Sequence, residues 1–463
     1  MNSPDAPPQL DRSLGLLQAT SLNVSNMVGI GPFITIPAFL ATMGGPHALI
    51  GWVVAAVLVI CDGLVWSELG AALPGSGGSY HFLRETFGKT GTWWGRLMPF
   101  LFIWQFLVSG TLEIASGYIG AADYVRYVFP NLESQLAAWG ISHGMSWLAA
   151  ASCVVITLAL CGRTRVVGWV SVVLCFGTLL TVLTVIVAGL THFNPSLLTL
   201  PPEVAAGTGS KSMFSGLGAA MLIAIYDYLG YYNVCHLGDE VRDPGKTIPR
   251  AVIISVVVVA VIYLTMNISI IAVVPWQEAM VSKNIAADFM ERLFGRPVAV
   301  AFTWMILWTV VACMFAITLG YSRIPFAAAR QGDFFRVFGW VHPRGQFPAV
   351  SLLALGGLTA VFCFFPLQDV INAAVTVRIL IQFIGQIAAL DWLRRKRPDI
   401  RLPFRMMLYP IPSVIALCGW FFVLGSADLK SRLAGLAVTV SGVIVFAIWQ
   451  AWTASIAASK RRQ

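Results

Sequence analysis

The chain has 463 residues, of which 57% are hydrophobic and only 11% are charged, and its mean hydropathy is +0.78. A soluble domain carries roughly 25% Asp, Glu, Lys and Arg, so this composition excludes a water-soluble globular protein. The net charge of +9 does not indicate nucleic-acid binding, because most Lys and Arg stand in alternate loops between apolar runs. The eight cysteines lie in or at the ends of these runs without metal-ligand spacing, so we predict neither a metal site nor a bound cofactor.

Continuous apolar runs of about 20 residues predict membrane-spanning helices, because lipid offers no partners to backbone amides and carbonyls. The pattern is continuous rather than alternating, which favours helices over a barrel. The sequence therefore predicts an all-α integral membrane protein with twelve transmembrane helices, at 14–43, 47–73, 97–128, 146–161, 166–190, 214–238, 249–274, 298–322, 347–366, 369–393, 406–426 and 433–457.

The distribution of Lys and Arg predicts the orientation. With the N-terminus inside, 22 of these residues fall on the cytoplasmic side and 7 on the outer side. Cytoplasmic loops carry the excess of positive charge in membrane proteins. We therefore expect a multi-pass protein of the cytoplasmic membrane with both termini in the cytoplasm. Residues 1–13 would form the N-terminal tail and residues 458–463 the C-terminal tail.

Two predicted spans are interrupted. Span 1 contains Gly29-Ile30-Gly31-Pro32, and span 6 contains the polar, aromatic stretch from Tyr226 to Asn233. Glycine admits non-helical dihedral angles and proline removes a backbone donor. Because five spans separate the two breaks, the sequence predicts two inverted five-helix repeats (5+5) whose broken first helices face each other near the bilayer midplane. The first repeat would cover 14–190 and the second 214–396, followed by two C-terminal helices within 397–457.

Three stretches near the cytoplasmic side resemble those of amino acid–polyamine–organocation (APC) superfamily permeases. They are Glu68–Tyr80 with its continuation to Gly88, Gly238–Ala251 after span 6, and Tyr321–Asp333 at the end of span 8. The break in span 1 also resembles that family's Gly-Ser-Gly-Ile-Phe, here Gly29-Ile30-Gly31-Pro32-Phe33. The stretch from Tyr226 to Asn233 is closer to a branch that includes plant-type polyamine/proton symporters.

The first break predicts a site for a substrate carboxylate. Gly29 opens the break, and the amides of Ile30, Gly31 and Phe33 would start the second half-helix without intrahelical partners. These amides carry partial positive charge and suit an anion.

The second break predicts the complementary site. The carbonyls of Tyr226, Asp227 and Leu229 would accept hydrogen bonds from a substrate ammonium, and Tyr231 would supply an aromatic wall or lid. The resemblance implies the same division between the two breaks. A zwitterion fits this pair of opposite dipole ends, whereas a polyamine has no carboxylate and does not need the amide site at the first break.

Ionisable residues inside spans are costly and usually functional. Glu113 in span 3 and Arg378 in span 10 fall at similar depth, which predicts an ion pair that would act as a gate or as a permanent structural pair. Asp227 is predicted to meet a cationic group or to carry a coupling proton. The preferred coupling ion is H⁺, bound by Glu113 or Asp227. The resemblance also allows Na⁺, near Thr318 and Ser322 in span 8.

The sequence thus predicts a secondary active transporter that moves amino acids across the cytoplasmic membrane by alternating access, either ion-coupled or exchanging. Its expected partners are a small-molecule substrate and the lipid bilayer. A polyamine or monoamine carrier of the same fold and a non-transporting amino-acid sensor remain alternatives. Motifs typical of hydrolases, metalloenzymes and nucleotide-binding enzymes are missing, so we do not expect an enzyme.

Overall fold

The computed structural model describes residue 12 and residues 14–462, except for 76, 91, 162–163, 200–212 and 344–346. The side chains of residues 89, 162–176, 213–215 and 456–462 are also outside the description. The predicted N-terminal tail therefore lies outside the described residues except for Arg12. Within the described part the chain is helical, and its one β-bridge joins Leu14 to Val241.

The α-helices are numbered in chain order: α1 Leu16–Met27, α2 Gly31–Met43, α3 Leu49–Ala72, α4 Ser79–Thr86, α5 Trp93–Val128, α6 Leu132–Ala138, α7 Gly144–Ala159, α8 Thr164–Thr191, α9 Met213–Tyr228, α10 Pro244–Ile271, α11 Trp276–Ala279, α12 Ile285–Phe294, α13 Arg296–Arg330, α14 Ala349–Phe362, α15 Leu367–Arg378, α16 Gly385–Lys396, α17 Ile411–Ser426 and α18 Leu429–Arg462. A π-helical turn, Ile379–Ile384, joins α15 to α16.

Among the described residues, six helical stretches are long and apolar enough to cross a membrane, and the bent pair α1–α2 makes a seventh. Five further apolar helices of 10–17 residues accompany them. This confirms an all-helical, multi-pass membrane protein. The backbone of α18 remains helical to Arg462, through the predicted C-terminal tail.

The long helix α5 lies at the centre of the bundle. In its most apolar stretch 83% of the residues are buried, against 17% in α18. It packs against α13 and α15 and also contacts α7, α14 and α18. Large apolar side chains on α18, such as Leu436 and Trp452, are more than half exposed. A face of this kind is typical of a helix in contact with lipid.

Span 6 differs from the prediction. Its α-helix, α9, ends at Tyr228, and Gly230 follows with φ of 111°, a conformation that favours glycine. The chain then forms only a four-residue 3₁₀-helix, Asn233–His236, before α10. The part of span 6 predicted after the break is therefore not an α-helix.

Candidate functional site

The break in the first span is a sharp bend. Helix α1 ends at Met27 and α2 begins at Gly31, and their axes differ by 54°. Pro32 stands in the first turn of α2, where its missing N–H costs no helical hydrogen bond. Gly29 packs against the thiol of Cys313, since a Cβ there would lie 2.8 Å from Sγ. The bend is therefore fixed by both local sequence and packing.

The three predicted carboxylate-binding amides are not equivalent. The Phe33 amide donates to the Ile30 carbonyl at 2.9 Å within the first turn of α2, so it is already engaged. The Ile30 amide lies near the thiol of Cys313, and thiol sulfur is only a weak acceptor. A carboxylate would be a stronger partner for the Ile30 amide. Ile30 and Gly31 line the cavity described below.

Asn23 of α1 holds the chain after the second break. Its Nδ2 donates to the Tyr231 carbonyl at 2.5 Å, and its Oδ1 accepts from the Val234 amide at 2.8 Å. Asn23 is fully buried, so these bonds satisfy backbone groups that would otherwise be left unpaired. The first span thus directly positions the polar stretch that follows α9.

A cavity of about 30 Å³ lies where the two breaks meet. This volume admits only a few water molecules, so a substrate requires the site to open. The cavity is lined by Asn26, Met27, Gly29, Ile30, Gly31, Glu113, Tyr226, Asp227, Leu229, Cys313, Met314 and Ile317. The structure therefore brings seven predicted site residues together.

Asp227 links the two breaks through its carboxylate. Its Oδ2 accepts a hydrogen bond of 2.7 Å from the hydroxyl of Thr35 on α2. Its Oδ1 is buried without a hydrogen-bond partner among the described residues. The same oxygen lies directly against Gly31, where an added Cβ would overlap with it. The break in span 1 therefore needs glycine at this position for a steric reason that the sequence does not reveal.

Glu113 and Arg378 form a buried ion pair. Arg378 Nη2 lies 2.5 Å from Glu113 Oε2, and Arg378 is fully buried. The hydroxyl of Tyr321 also donates to Glu113 Oε2 at 2.8 Å, and Arg378 Nη1 donates to the hydroxyl of Tyr232 at 3.2 Å. The pair joins α5 to α15, and Glu113 forms part of the cavity wall.

Four predicted site residues other than Arg378 do not line the cavity. Phe33 is buried in α2, and its carbonyl accepts from the Tyr124 hydroxyl. Thr318 is buried in α13, and Ser322 donates to the carbonyl of Leu319 in its own helix.

Tyr231, the fourth of these residues, lies on the far side of the break. Its hydroxyl donates to Asp62, which also accepts from Trp420 Nε1 at 2.9 Å. Asp62 and Trp420 are fully buried. Tyr231 therefore ties the break to α3 and α17 and forms no wall of the cavity.

The cytoplasmic-side stretches identified in the sequence meet in space. The hydroxyl of Tyr80 donates to Asp333 Oδ2 at 2.6 Å and lies 2.9 Å from Gln331 Oε1, and Arg84 Nε lies 2.6 Å from the same Asp333 oxygen. These contacts, which we call the Asp333 cluster, join α4 to the turn after α13. They hold together two segments on the predicted cytoplasmic side of the cavity.

The glycine-rich turn before α4 packs closely against the segment after α9. The Gly77 amide donates to the His236 carbonyl at 3.1 Å, and a Cβ at Gly78 would overlap with the His236 ring. A Cβ at Gly238 would lie 2.7 Å from the Gly75 amide nitrogen. The requirement for glycine on both sides explains why these two stretches have recognisable sequences.

Part of the cavity wall has no distinctive pattern in the sequence. Cys313, Met314 and Ile317 of α13 occur within a continuous apolar run, and residues of this kind more often pack against helices or lipid. Asn26, by contrast, is a polar residue just before the break. Its position in an apolar run one turn before Gly29 could have identified it.

A bent helix facing an interrupted helix across a small internal cavity defines a membrane transporter of the broken-helix type. Comparison with known proteins identifies the family. Residues 14–456 match the family described as amino acid permease, and the chain belongs to that family. This confirms the resemblance to APC permeases and the prediction that the protein is a transporter and not an enzyme.

Several characterised transporters are similar over nearly the whole chain. The cystine/glutamate transporter of Homo sapiens is 27% identical over 459 residues, which cover 96% of this chain and 86% of the relative. The serine/threonine exchanger SteT of Bacillus subtilis is 26% identical over 440 residues, covering 93% and 94%. The large neutral amino acids transporter small subunit 2 of Mus musculus is 26% identical over 462 residues, covering 96% and 82%.

Proposed function

We propose that this permease is a secondary active transporter that carries α-amino acids across the cytoplasmic membrane by alternating access. The observation that carries the proposal is the cavity between the two breaks, which is bordered by the start of one helix and the end of another. A helix start offers amides and a helix end offers carbonyls. An α-amino acid carries the matching pair of charges on one carbon atom.

The substrate carboxylate binds the amides of Ile30 and Gly31, displacing the weak contact of Ile30 with Cys313. The substrate ammonium binds carbonyls at the end of α9, those of Asp227 and Leu229. The Tyr226 carbonyl accepts from the Leu229 amide at 3.2 Å and retains a second lone pair. The substrate side chain then faces Met314 and Ile317, which favours neutral amino acids.

The chain has twelve spans, with two inverted repeats of five and two further helices at the C-terminus. Six long apolar helices, the bent pair α1–α2 and five shorter apolar helices support this count. Both termini lie in the cytoplasm, in keeping with the 22 Lys and Arg on that side. During transport the cavity opens alternately to the two sides of the membrane, and the Asp333 cluster closes the cytoplasmic side.

Exchange of one amino acid for another is the favoured mode of transport. The similar proteins include a serine/threonine exchanger. An exchanger reorients between the two sides of the membrane only with substrate bound, so it needs an occluded state that encloses the substrate. The enclosed position of the cavity between α1, α2 and α9 is compatible with such a state.

Counterflow in sealed proteoliposomes tests the proposal. Vesicles are loaded with unlabelled L-serine, L-leucine or L-glutamate, or with putrescine or spermidine, and each labelled solute is offered outside. We expect uptake of amino acids and not of amines, and no uptake in protein-free vesicles. Uptake of amines alone would contradict the proposal and favour the amine carrier. Amino-acid binding without any uptake would favour a sensor.

A further inference from the structure

Asp227 is a buried carboxylate without a cationic partner. Only 3% of the residue is exposed, and none of the ion pairs formed by the described residues includes it. Its one hydrogen bond comes from the neutral hydroxyl of Thr35, and Oδ1 has none. A carboxylate that is ionised while the site is open to water is therefore strongly disfavoured once the site closes, unless it is paired or protonated.

The groups that face Asp227 do not compensate its charge. They are the hydroxyls of Tyr226, Tyr228 and Tyr263, the thiol of Cys313, and, across the cavity, the carboxylate of Glu113. None of these groups is a cation. The guanidinium of Arg378 is bound to Glu113 and Tyr232.

The position of Oδ1 creates a conflict with the proposed substrate site. Oδ1 lies against Gly31, whose amide is proposed to bind the substrate carboxylate. Two ionised carboxylates sharing one site repel each other, and such a site binds a proton instead. A protonated Oδ1 would become a hydrogen-bond donor aimed at the place of the substrate carboxylate.

We propose that Asp227 takes up one proton when an amino acid binds, and that its Oδ1–H donates to the substrate carboxylate. This inference rests on the proposed function and adds to it a proton that accompanies each bound amino acid. The proton enters from water on the side to which the site is open, stays on Oδ1 while the loaded site is closed, and returns to water on the other side as the substrate leaves. Glu113, which is already paired with Arg378, takes no part in this transfer.

The test measures proton uptake during binding by the purified full-length chain in weakly buffered detergent solution with a pH-sensitive dye. The probe is the amino acid that gives the highest counterflow among the twenty protein amino acids. We expect about one proton taken up per substrate at neutral pH, and an affinity that rises about tenfold for each unit of falling pH. These measurements use the wild-type protein, so they do not depend on the folding of any variant.

The variant Asp227→Asn carries an amide that donates a hydrogen bond at every pH. We expect the affinity of this variant for the substrate to be independent of pH, and its binding to be accompanied by no proton uptake. Asp369→Asn is the matched control, because Asp369 is paired with Lys430 at the surface; it should behave as the wild type does. Thr35→Val, which removes the one hydrogen bond to Asp227, should alter the pH profile of proton uptake.

Three results would overturn the inference: proton uptake that persists in Asp227→Asn, no proton uptake by a transporting wild type, or wild-type affinity that falls as the pH is lowered. The last result would mean that Asp227 is ionised and binds a substrate cation. Failure of the wild type to transport any amino acid would instead refute the proposed function, so the two failures are distinguishable.

Discussion

Replacement of Glu113 by glutamine tests the cost of leaving a buried charge unpaired. Arg378 is fully buried and lies 2.5 Å from Glu113, so Glu113→Gln keeps the shape of the side chain but removes the opposite charge. The guanidinium then keeps only neutral partners such as the hydroxyl of Tyr232 at 3.2 Å. Breaking a buried ion pair by removing one partner costs about 3–5 kcal/mol. We expect a loss of free energy of unfolding in this range.

The assay is unfolding of the purified protein in mixed micelles, followed by tryptophan fluorescence. The matched control is Asp369→Asn, which breaks the pair with Lys430, whose side chain is 73% exposed. An exposed pair contributes about 0–1 kcal/mol, so the control should lose little. The double variant Glu113→Gln/Arg378→Met removes both charges and should recover part of the loss. Equal losses in Glu113→Gln and in the control, or a double variant less stable than Glu113→Gln, would refute this reasoning.

Three further predictions concern the site and its surroundings. Gly31→Leu should abolish substrate binding without preventing membrane insertion, because any Cβ at Gly31 overlaps with a buried carboxylate oxygen. The control Gly320→Leu should still bind substrate, because a Cβ at Gly320 meets nothing within 4 Å. Normal substrate binding by Gly31→Leu would contradict the proposed carboxylate site. Tyr80→Phe deletes the hydrogen bond of 2.6 Å to Asp333, which is worth about 1 kcal/mol. It should speed efflux of substrate from loaded proteoliposomes about fivefold. An unchanged efflux rate would show that this bond does not restrain opening of the cytoplasmic side. Ser322→Ala should leave uptake as insensitive to sodium as that of the wild type, because the proposed co-transported ion is a proton; a sodium requirement that this variant loses would favour the sodium site.

The sequence predicted the main features of the fold for clear physical reasons. Long continuous apolar runs predict helices, because a helix pairs all of its own backbone groups in lipid. Gly29, Gly31 and Pro32 predict the bend, because a regular helix does not accommodate these residues well. The interruption after α9 was also predictable from its polar residues. Its continuation as a 3₁₀-helix was not, because Asn23 supplies the hydrogen bonds from 208 and 211 residues away in the sequence.

The candidate site was predicted in part. Charges inside spans are rare, so Glu113, Asp227 and Arg378 stood out, and the pairing of Glu113 with Arg378 was inferred from depth alone. Tyr231 was predicted as an aromatic wall or lid, but its hydroxyl bonds to Asp62 instead of lining the cavity, because a sequence does not show in which direction a side chain points after a helix ends. Cys313 and its neighbours form part of the cavity wall only because of how the helices pack, so their sequence shows no pattern that predicts this role.

The hydrogen bonds of Asp62 determine how the chain can be shortened. Trp420 belongs to α17, outside both predicted repeats, yet its indole completes the bonding of a carboxylate in α3 that also holds Tyr231. The ring of Trp420 is stacked on Phe383 of the π-helical turn, with centroids 3.9 Å apart. A chain that stopped before α17 would lack the hydrogen bond that Trp420 donates to Asp62 and the ring that stacks on Phe383. We therefore expect α17 to contribute to the stability of the fold, so that a version truncated to the two predicted repeats is a poor starting point for engineering.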